Sequence, residues 1–388
     1  MRGDTSSIIL IVPLEIRTVS TRAELKRFVA FPYDMYDKRR YPNWVAPLRV
    51  AVYDALDARN NPFYRQADRA LWLALRDGEV VGRIAAIHNR AHNDFHADRT
   101  GFFGFFECVD DQAVADLLFR VASDWLAARG LTTMQGPMNP STNYECGLLV
   151  EGFENRPTFM TAWNPPYYDT LCERAGLAKA KDLLAFWFPA AEEGYALPEF
   201  VERQASRALE RGRMEFRDLD PRKFEREVAA CWEIYNDAWE RNWGFVPMTR
   251  AEFEHMAKDM KRLLWPELAF MASVGDEPAG FMLAVPDYNV ALAKNRSGRL
   301  FPLGLFRLLR GKRTIRTARV MALGVKKAYR SRSILALFTA EVMRRGLAMG
   351  KIGAEASWLL EDNQLIVKPM RAMGARERMR WRVYERAT

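Results

Sequence analysis

An internal repeat is the feature of this 388-residue chain that most limits its fold. The segment "EIRTVSTR" at 15–22 aligns with "EFRDLDPR" at 215–222, an offset of 200 residues. The segment "LWLALRDGEVVGRIAAI" at 71–87 aligns with 269–285 at an offset of 198, and both read as a strand, a polar turn and a second strand. Similar segments in the same order indicate a duplicated structural unit.

The two halves differ by one insertion each. Amphipathic helices predicted at 115–130 and 335–350 align at an offset of 220, and further along the chain the offset returns to 198. Each half therefore has an extra segment of about 22 residues that the other lacks, namely 136–157 and 294–316.

The repeat predicts two α/β domains of the same architecture. Each half reads as strand, helix or helices, hairpin, strand, helix, strand, helix and strand, with Ser20 or Asp220 capping the first helix. That order predicts a mixed, mostly antiparallel sheet with one parallel pair, flanked by helices. The expected limits are 1–188 and 214–388, joined by a helical linker at 189–213.

Composition and charge limit the partners. The net charge of +9 favours an anionic partner, which can be nucleic acid, an acidic membrane surface or a phosphate-bearing cofactor. We expect no nucleic-acid binding, because the aromatic residues read as core strands and do not alternate with Lys and Arg on one surface. The four cysteines form no CxxC pair, which argues against a zinc knuckle or a disulfide framework and favours a reducing compartment.

No segment predicts a membrane span. The apolar run "SIILIVPL" at 7–14 is too short to cross a bilayer, and it lacks a signal-peptidase site. We therefore expect a soluble or peripheral protein.

A basic turn in the second half has the features of an anion site. An apolar strand at 320–325 leads into "RSRSILA" at 330–336, where a helix begins. The first amides of a helix point outward and its dipole favours an anion, and Lys326 and Lys327 add positive charge. The alternative is a solvated basic turn without a ligand.

This order of elements resembles the GNAT acyltransferase superfamily, in which the fourth strand leads into a pyrophosphate loop of the pattern Arg/Gln-x-x-Gly-x-Gly/Ala. Arg330 matches the first position, whereas Ser333 and Leu335 replace the two glycines. Downstream, Asn363 stands eleven residues before Gly374, as in the family's Asn, helix, Gly-Phe region, although Ala375 replaces the Phe and the family's acid tyrosine is missing. The resemblance implies that coenzyme A binds the second half through Val325, Arg330, Ser331, Arg332, Ser333, Ile334 and Asn363.

The first half has no such turn after its strand at 101–111, so we expect it to bind the acceptor or to support the fold. Long blocks in this half resemble a bacterial double-GNAT family that includes bacterial ceramide synthases; they lie at 31–49, 61–67, 82–96, 101–111, 136–149 and 164–185. This resemblance implies transfer of a long-chain fatty acyl group from acyl-CoA to the amine of a sphingoid base. The acceptor would be sphinganine or 3-ketosphinganine and the product ceramide or 3-oxoceramide.

Aminolysis of a thioester needs a group that takes the proton of the amine. Glu107 ends a strongly apolar strand, where burial raises the pKa of a carboxyl group; Glu145 lies in the extra loop, and His88 follows a strand. These three are the candidate catalytic residues. His88, His92 and His96 have a spacing that fits zinc on a helix, but "HNRAHNDFH" favours a strand end and a loop, so we expect no metal.

The extra segment of the first half is rich in polar side chains. Such a loop can orient a polar headgroup, or it can satisfy only its own backbone. The candidate substrate-binding residues are Asn139, Ser141, Asn143 and Tyr144.

The extra segment of the second half mixes large apolar and basic side chains over 299–313. Its composition suits the interface of an acidic membrane, and the alternative is a helix that covers the core. We therefore expect a cytoplasmic enzyme that is peripheral to the inner membrane and takes a lipid or amine acceptor. Two other functions fit the same residues: an N-acyltransferase for an amino acid, peptide or polyamine, and a non-catalytic lipid-binding protein on a degenerate GNAT fold.

Overall fold

The computed structural model describes residues 13–190, 192, 195–210, 214–261 and 263–388. The apolar run at 7–14 lies outside this part of the chain except for its last two residues, and so does some of the linker predicted at 189–213.

The first half alternates strands and helices in the predicted order. Its elements are β1 (Glu15–Thr18), α1 (Arg22–Met35), α2 (Arg49–Ala55), β2 (Ala67–Arg76), β3 (Glu79–Asn89), α3 (Arg90–His96), β4 (Thr100–Cys108), α4 (Gln112–Ala127), β5 (Thr133–Gly136), β6 (Met138–Asn139), β7 (Glu145–Cys146), β8 (Leu148–Glu151), α5 (Tyr167–Arg174) and β9 (Ala178–Phe188).

The second half repeats this order after a linking helix. Its elements are α6 (Glu199–Glu210), β10 (Met214–Asp218), α7 (Phe224–Trp239), α8 (Arg250–Met260), β11 (Ala269–Val274), β12 (Glu277–Pro286), α9 (Asn289–Leu292), α10 (Gly304–Lys312), β13 (Thr317–Val325), α11 (Ile334–Ala348), β14 (Gly353–Leu360), α12 (Gln364–Ala372) and β15 (Arg376–Ala387).

One large sheet runs through both halves, in the order β1-β2-β3-β4-β5-β15-β9-β14-β13-β12-β11-β10. Neighbouring strands are antiparallel except for the parallel pairs β4–β5 and β13–β14. The mixed, mostly antiparallel sheet with flanking helices confirms the predicted fold class.

The final strands of the two halves cross over. β15 lies between β5 and β9 of the first half, and β9 lies between β15 and β14 of the second half. Buried side chains such as Trp381 and Tyr384 fix β15 in the middle of the sheet. The domain limits at 188 and 214 stay a prediction, because each half completes its sheet with a strand from the other.

Helices α4 and α11 cover the corresponding faces of the two halves. α4 buries Leu118 and Phe119 against the first half of the sheet, and α11 buries Leu337 and Phe338 against the second. Burying a side chain of this size stabilises the fold by about 1.5–3 kcal/mol. These helices therefore hold the rest of each unit in place.

The two parallel pairs separate after a few residues. Pairing of β4 with β5 ends at Phe102 and Gln135, and pairing of β13 with β14 ends at Val320 and Ala356. A gap between two strands opens beyond each pair.

The structure corrects two local predictions. Residues 90–96 form helix α3 instead of a loop, because the Asn89 side chain accepts a hydrogen bond from the His92 amide and caps the helix. The N-cap of α1 is Thr21, not Ser20, whereas Asp220 does cap the 3₁₀ turn before α7.

Candidate functional site

A narrow cavity occupies the gap between β13 and β14. It has a volume of about 120 Å³ and is walled by the two strands and by the inner faces of α11 and α12. Leu335, Thr339 and Asn363 line it; Asn363 is one of the residues predicted to contact coenzyme A, and Leu335 occupies the second glycine position of the motif. We call this space the narrow cavity.

Helix α11 begins at the end of this cavity. Ser333, at the N-cap, has left-handed backbone geometry (φ 60°), and its side chain makes no capping hydrogen bond to the first-turn amides. Of the predicted coenzyme A residues, Ile334 packs its side chain into the core and Val325 is half-buried, so only their backbone groups could contact a ligand directly. Ser331 and Arg332 end the 3₁₀ turn that precedes the helix.

Basic side chains surround the start of α11. Lys326 pairs with Glu277 at 3.0 Å, Lys327 pairs with Glu240, and Arg330 donates to the Ala238 carbonyl at 2.8 Å. Arg330 is exposed, its partner is a neutral carbonyl, and no carboxylate of the described residues pairs with it. The side chains and the helix dipole together favour an anion at this position.

A second and larger space, the wide cavity, has a volume of about 310 Å³. Its walls are mostly apolar side chains of α7, α8 and β11–β13, and residues 142–144 and 146 of the first half close one side. It shares wall residues with the narrow cavity: Trp239, Asn242, Met321, Ser357, Trp358 and Leu360. Together the two cavities have room for a two-part ligand or for two ligands side by side.

The buried side chain of Arg319 lines the wide cavity. Its guanidinium donates to the Ser357 hydroxyl and carbonyl and to the carbonyls of Phe159 and Met160 at 2.7–3.1 Å. Burial lowers the pKa of Arg319 to about 10, opposed by the nearby Glu355. The guanidinium ties the first half to β14 at the floor of the cavity.

The predicted base Glu107 lies in the first half, at the end of β4. Its carboxylate accepts hydrogen bonds from the Tyr36 and Tyr168 hydroxyls at 2.5 and 2.8 Å, and the Arg83 guanidinium is 3.6 Å away. Burial raises the pKa of Glu107, and Arg83 opposes this effect.

The predicted base Glu145 lies on the short strand β7, where it pairs with Asn139 of β6. Asn139 links Glu145 to β4, since its side chain accepts from the Phe105 amide at 2.6 Å and donates to Glu145 at 3.4 Å. Burial raises the pKa of Glu145 as well. The third candidate, His88, is half-buried beside Asp68 and Arg90, and burial lowers its pKa.

The polar loop that carries the candidate substrate-binding residues contacts the second half. Asn143 donates to the Val246 carbonyl and accepts from the Tyr235 hydroxyl at 2.7 Å. Ser141 accepts from the Asn143 amide, which shapes the loop, and Tyr144 lines the wide cavity. Asn143 and Tyr144 are therefore the two of the four that lie on the cavity wall.

The sequence interpretation missed Glu252 on α8. This side chain is 7% exposed, its Oε1 has no hydrogen-bond partner among the described residues, and burial raises the pKa of its carboxyl group to about 7. "TRAE" at 249–252 reads as an ordinary helix start, so no sequence signal distinguished this residue.

The insertion of the second half forms an exposed apolar surface. Phe301, Leu303, Phe306 and Leu309 are 58–68% exposed, while Leu308 on the other face of α10 packs against the core. Arg299, Arg307, Arg310 and Arg313 are also exposed on this segment. We call residues 299–313 the insertion surface. Among the described residues, no helix is both long and apolar enough to span a bilayer.

Two curated proteins are similar over nearly the whole chain. The "Bacterial ceramide synthase" of Caulobacter vibrioides is 38% identical over 381 residues, which is 96% of this chain and 97% of the relative. "Protein YghO" of Escherichia coli is 34% identical over 379 residues, or 96% of this chain and 95% of the relative. No protein-family model matches the chain.

Solved structures with the same fold have low sequence identity. A tandem GNAT protein from the clavulanic acid biosynthesis pathway has a TM-score of 0.55 at 11% identity and covers 97% of this chain and 98% of its own. A GCN5-related N-acetyltransferase from Sphaerobacter thermophilus has a TM-score of 0.50 at 15% identity, with 97% and 96% covered. The fold is thus the tandem GNAT arrangement: the repeat predicted two units of the same architecture, and the resemblance implied that they are GNAT-like.

Proposed function

The chain belongs to the family of bacterial ceramide synthase, and from this premise we propose that it transfers a long-chain fatty acyl group from acyl-CoA to the amine of a sphingoid base. The acceptor is sphinganine or its 3-keto form, and the product is ceramide or 3-oxoceramide. The family and the tandem GNAT fold make the chain an N-acyltransferase; the acyl-CoA donor and the sphingoid acceptor are the proposal.

One observation carries the proposal: the narrow cavity between β13 and β14 shares its inner wall with a wider apolar cavity. The diphosphate of coenzyme A would bind at the start of α11, near Arg330 and Arg332, and its pantetheine arm would follow the narrow cavity past Asn363. The thioester would then lie at the shared wall, beside Met321 and Ser357.

Main-chain geometry at this wall suits the chemistry. The pairing of β12 with β13 passes from Ala322 to Val320, so Met321 is an extra, bulged residue. A bulged residue is left without a partner in the ladder, and its amide can donate to the oxyanion of a tetrahedral intermediate. Direct attack by the amine then requires no covalent intermediate on the protein.

The wide cavity supports a lipid over a small substrate. A long alkyl chain leaves a membrane only for an equally apolar site, since each buried methylene contributes about 0.8 kcal/mol. Met256, Met260 and Leu264 are among the side chains that make the wall apolar. An acetyl group needs no such space.

The insertion surface gives a route for such a lipid. We propose that residues 299–313 dock on the acidic cytoplasmic face of the inner membrane, with the exposed apolar side chains in the interface and the arginines at the headgroups. Each such cation near an anionic surface contributes about 1 kcal/mol to binding. The enzyme is then cytoplasmic and peripheral.

Product analysis tests the reaction. The purified protein is incubated with sphinganine or 3-ketosphinganine and an equimolar set of acyl-CoA thioesters from acetyl to stearoyl, and the products are identified by mass spectrometry. We expect N-acylated product from long chains and none from acetyl-CoA. Preference for acetyl-CoA, or for a soluble amine such as spermidine over either base, would contradict the proposed substrates.

Vesicle sedimentation tests the insertion surface separately. Replacing Phe306 and Leu309 by Ser should weaken binding to phosphatidylglycerol-containing vesicles about tenfold or more, because two large side chains leave the interface. Leu347→Ser, at an exposed position of α11, is the matched control and should bind like the wild type. Equal binding by all three proteins would refute the docking surface.

A further inference from the structure

The tetrapeptide Thr-Arg-Ala-Glu occurs twice in this chain, at 21–24 and at 249–252, and starts a helix each time. In both copies the threonine is the N-cap and its hydroxyl accepts a hydrogen bond from the glutamate amide at 3.2 Å. The two glutamates therefore start from the same local geometry.

Their carboxylates then diverge. Glu24 accepts hydrogen bonds from the Ser20 and Thr21 amides at 2.9 Å, which completes a capping box and lowers its pKa to about 2. Among the described residues Glu252 makes no such bond to its cap. Its carboxyl group is instead turned into the protein: the residue is 7% exposed, and one buried carboxyl oxygen has no well-aligned hydrogen bond to any described residue.

Glu252 lies next to the hydroxyl group of Tyr144, and each side chain shifts the pKa of the other. The Tyr144 hydroxyl is buried as well, and it forms no well-aligned hydrogen bond with any described residue. Tyr144 lines the wide cavity, as do Phe253 and Met256 of the same helix as Glu252. Buried polar groups nearly always form well-aligned hydrogen bonds in native proteins, so two buried groups that lie side by side at a cavity without one point to a ligand.

The other titratable groups around this pair come from both halves. Tyr64 and Asp54 belong to the first half, and Tyr235 and His255 to the second. His255 is paired with Asp54 at 3.0 Å. Of the two carboxyl groups near Tyr144, Asp54 is therefore paired with a histidine, whereas Glu252 forms no ion pair with any described residue.

We propose that Tyr144 and Glu252 form the polar end of the wide cavity, where the ammonium head of a long-chain acceptor binds and loses a proton before attack. This inference rests on the proposed function. A cation in an apolar cavity is costly without an anionic partner, and Glu252 supplies that partner through the Tyr144 hydroxyl.

The proton passes in two linked transfers. The ammonium nitrogen gives one proton to the Tyr144 oxygen as the Tyr144 O–H proton passes to Glu252. The neutral amine attacks the thioester carbonyl carbon, the C–N bond forms, the C–S bond breaks, and the remaining surplus proton of the nitrogen leaves with the thiolate as free thiol. Tyr144 touches the substrate and is the catalytic residue; Glu252 acts through it as a positioning residue.

Binding of simple probes tests the pair without any acyl donor. Dodecylamine and dodecanol are titrated against the wild type, Glu252→Gln and Tyr144→Phe, with tryptophan fluorescence as the readout, since Trp239, Trp243 and Trp358 line the cavity. We expect both variants to bind dodecylamine about 10–100-fold more weakly, the range for a hydrogen bond to a charged group, and to bind dodecanol like the wild type. Glu24→Gln, in the same tetrapeptide, should bind both probes like the wild type.

Unchanged amine affinity in both variants, or equal loss of amine and alcohol affinity, would overturn the inference. The pH profile adds a second readout: the wild-type rate should rise with the ionisation of a group near neutral pH, and Glu252→Gln should lose that dependence. If the wild type releases no thiol from any acyl-CoA, the proposed function fails, but the probe titration still decides whether Glu252 and Tyr144 bind an amine.

Discussion

The gap beyond each parallel strand pair is occupied by the chain in the first half and open as a cavity in the second. In the first half, the chain itself enters the gap beyond β4 and β5: a Cβ atom on Gly104 would lie 1.8 Å from the Met138 carbonyl oxygen, and Asn139 bonds to the Phe105 amide. In the second half, the gap beyond β13 and β14 holds the narrow cavity. The same strand geometry thus supports a filled gap in one half and an open one in the other.

The helix starts beside these gaps differ in the same way. Asp111 caps α4 by accepting from the Ala113 and Val114 amides, and its charge is paired with Arg76 at 2.7 Å. Ser333, the N-cap of α11, makes no side-chain capping hydrogen bond, and a basic turn precedes this helix. An acidic cap uses the amides that an anion would need, so the comparison favours the second half for binding the diphosphate.

The largest effect is expected from Gly104→Ala. The added methyl group would meet a backbone oxygen, which cannot move aside as a flexible side chain can. The unfolding free energy of the protein should therefore fall by about 3 kcal/mol or more. Urea unfolding followed by circular dichroism measures the loss. Gly346→Ala in α11, where the nearest atom is 4.0 Å away, is the control and should stabilise the protein by about 0.5–1 kcal/mol. A Gly104→Ala variant as stable as the wild type would show that the first gap is not tightly filled.

Thr339→Phe imitates the filled gap in the second half. Thr339 is buried on the inner face of α11 and lines the narrow cavity, so a phenyl ring would occupy the proposed path of the pantetheine arm. We expect kcat/KM for acyl-CoA to fall about 100-fold, or about 2.7 kcal/mol of transition-state stabilisation. Near-wild-type kinetics in a folded variant would place the donor elsewhere. Thr132→Phe, at an exposed position before β5, is the control and should keep full activity.

The smallest expected effect is the pH-dependent difference in unfolding free energy between Glu252→Gln and the wild type. The pKa of Glu252 is about 7 in the folded protein and 4.5 when the group is free. Below pH 4.5 the group is protonated in both states, so the raised pKa does not lower the unfolding free energy. Between pH 4.5 and about pH 7 the wild type progressively loses unfolding free energy, because only the unfolded state ionises. The variant should therefore gain about 2 kcal/mol over the wild type between pH 5 and pH 8. Thermal unfolding across this range measures the difference. A variant that is less stable at pH 8 than at pH 5, relative to the wild type, would show that Glu252 is an ion-paired structural residue.

Local patterns were enough to predict the fold class and the order of its elements. The repeat aligned corresponding strands, and the basic turn at 330–336 pointed to the helix start that lies beside the narrow cavity. The exchange of β9 and β15 could not be predicted, because an alternating strand such as 376–387 pairs equally well within its own half. Long-range register depends on which buried faces meet, and periodicity does not encode it.

The wide cavity was hidden for a similar reason. Phe253 and Met256 have helical spacing, and apolar residues at that spacing normally form core. Glu252 was hidden by its own motif, since only the fold shows that its carboxyl group leaves the cap that Glu24 keeps. The sequence candidates Glu107, Glu145 and His88 remain predictions, and they lie in the half whose gap is filled.

Hydrogen–deuterium exchange with and without palmitoyl-CoA tests most directly whether the donor binds the second half. We predict slower exchange at the amides of 333–338 and 356–363, at the start of α11 and along the narrow cavity, and unchanged exchange at 111–116, where Asp111 already caps α4. Protection at 111–116, or no protection at 333–338 under saturating palmitoyl-CoA, would contradict the account.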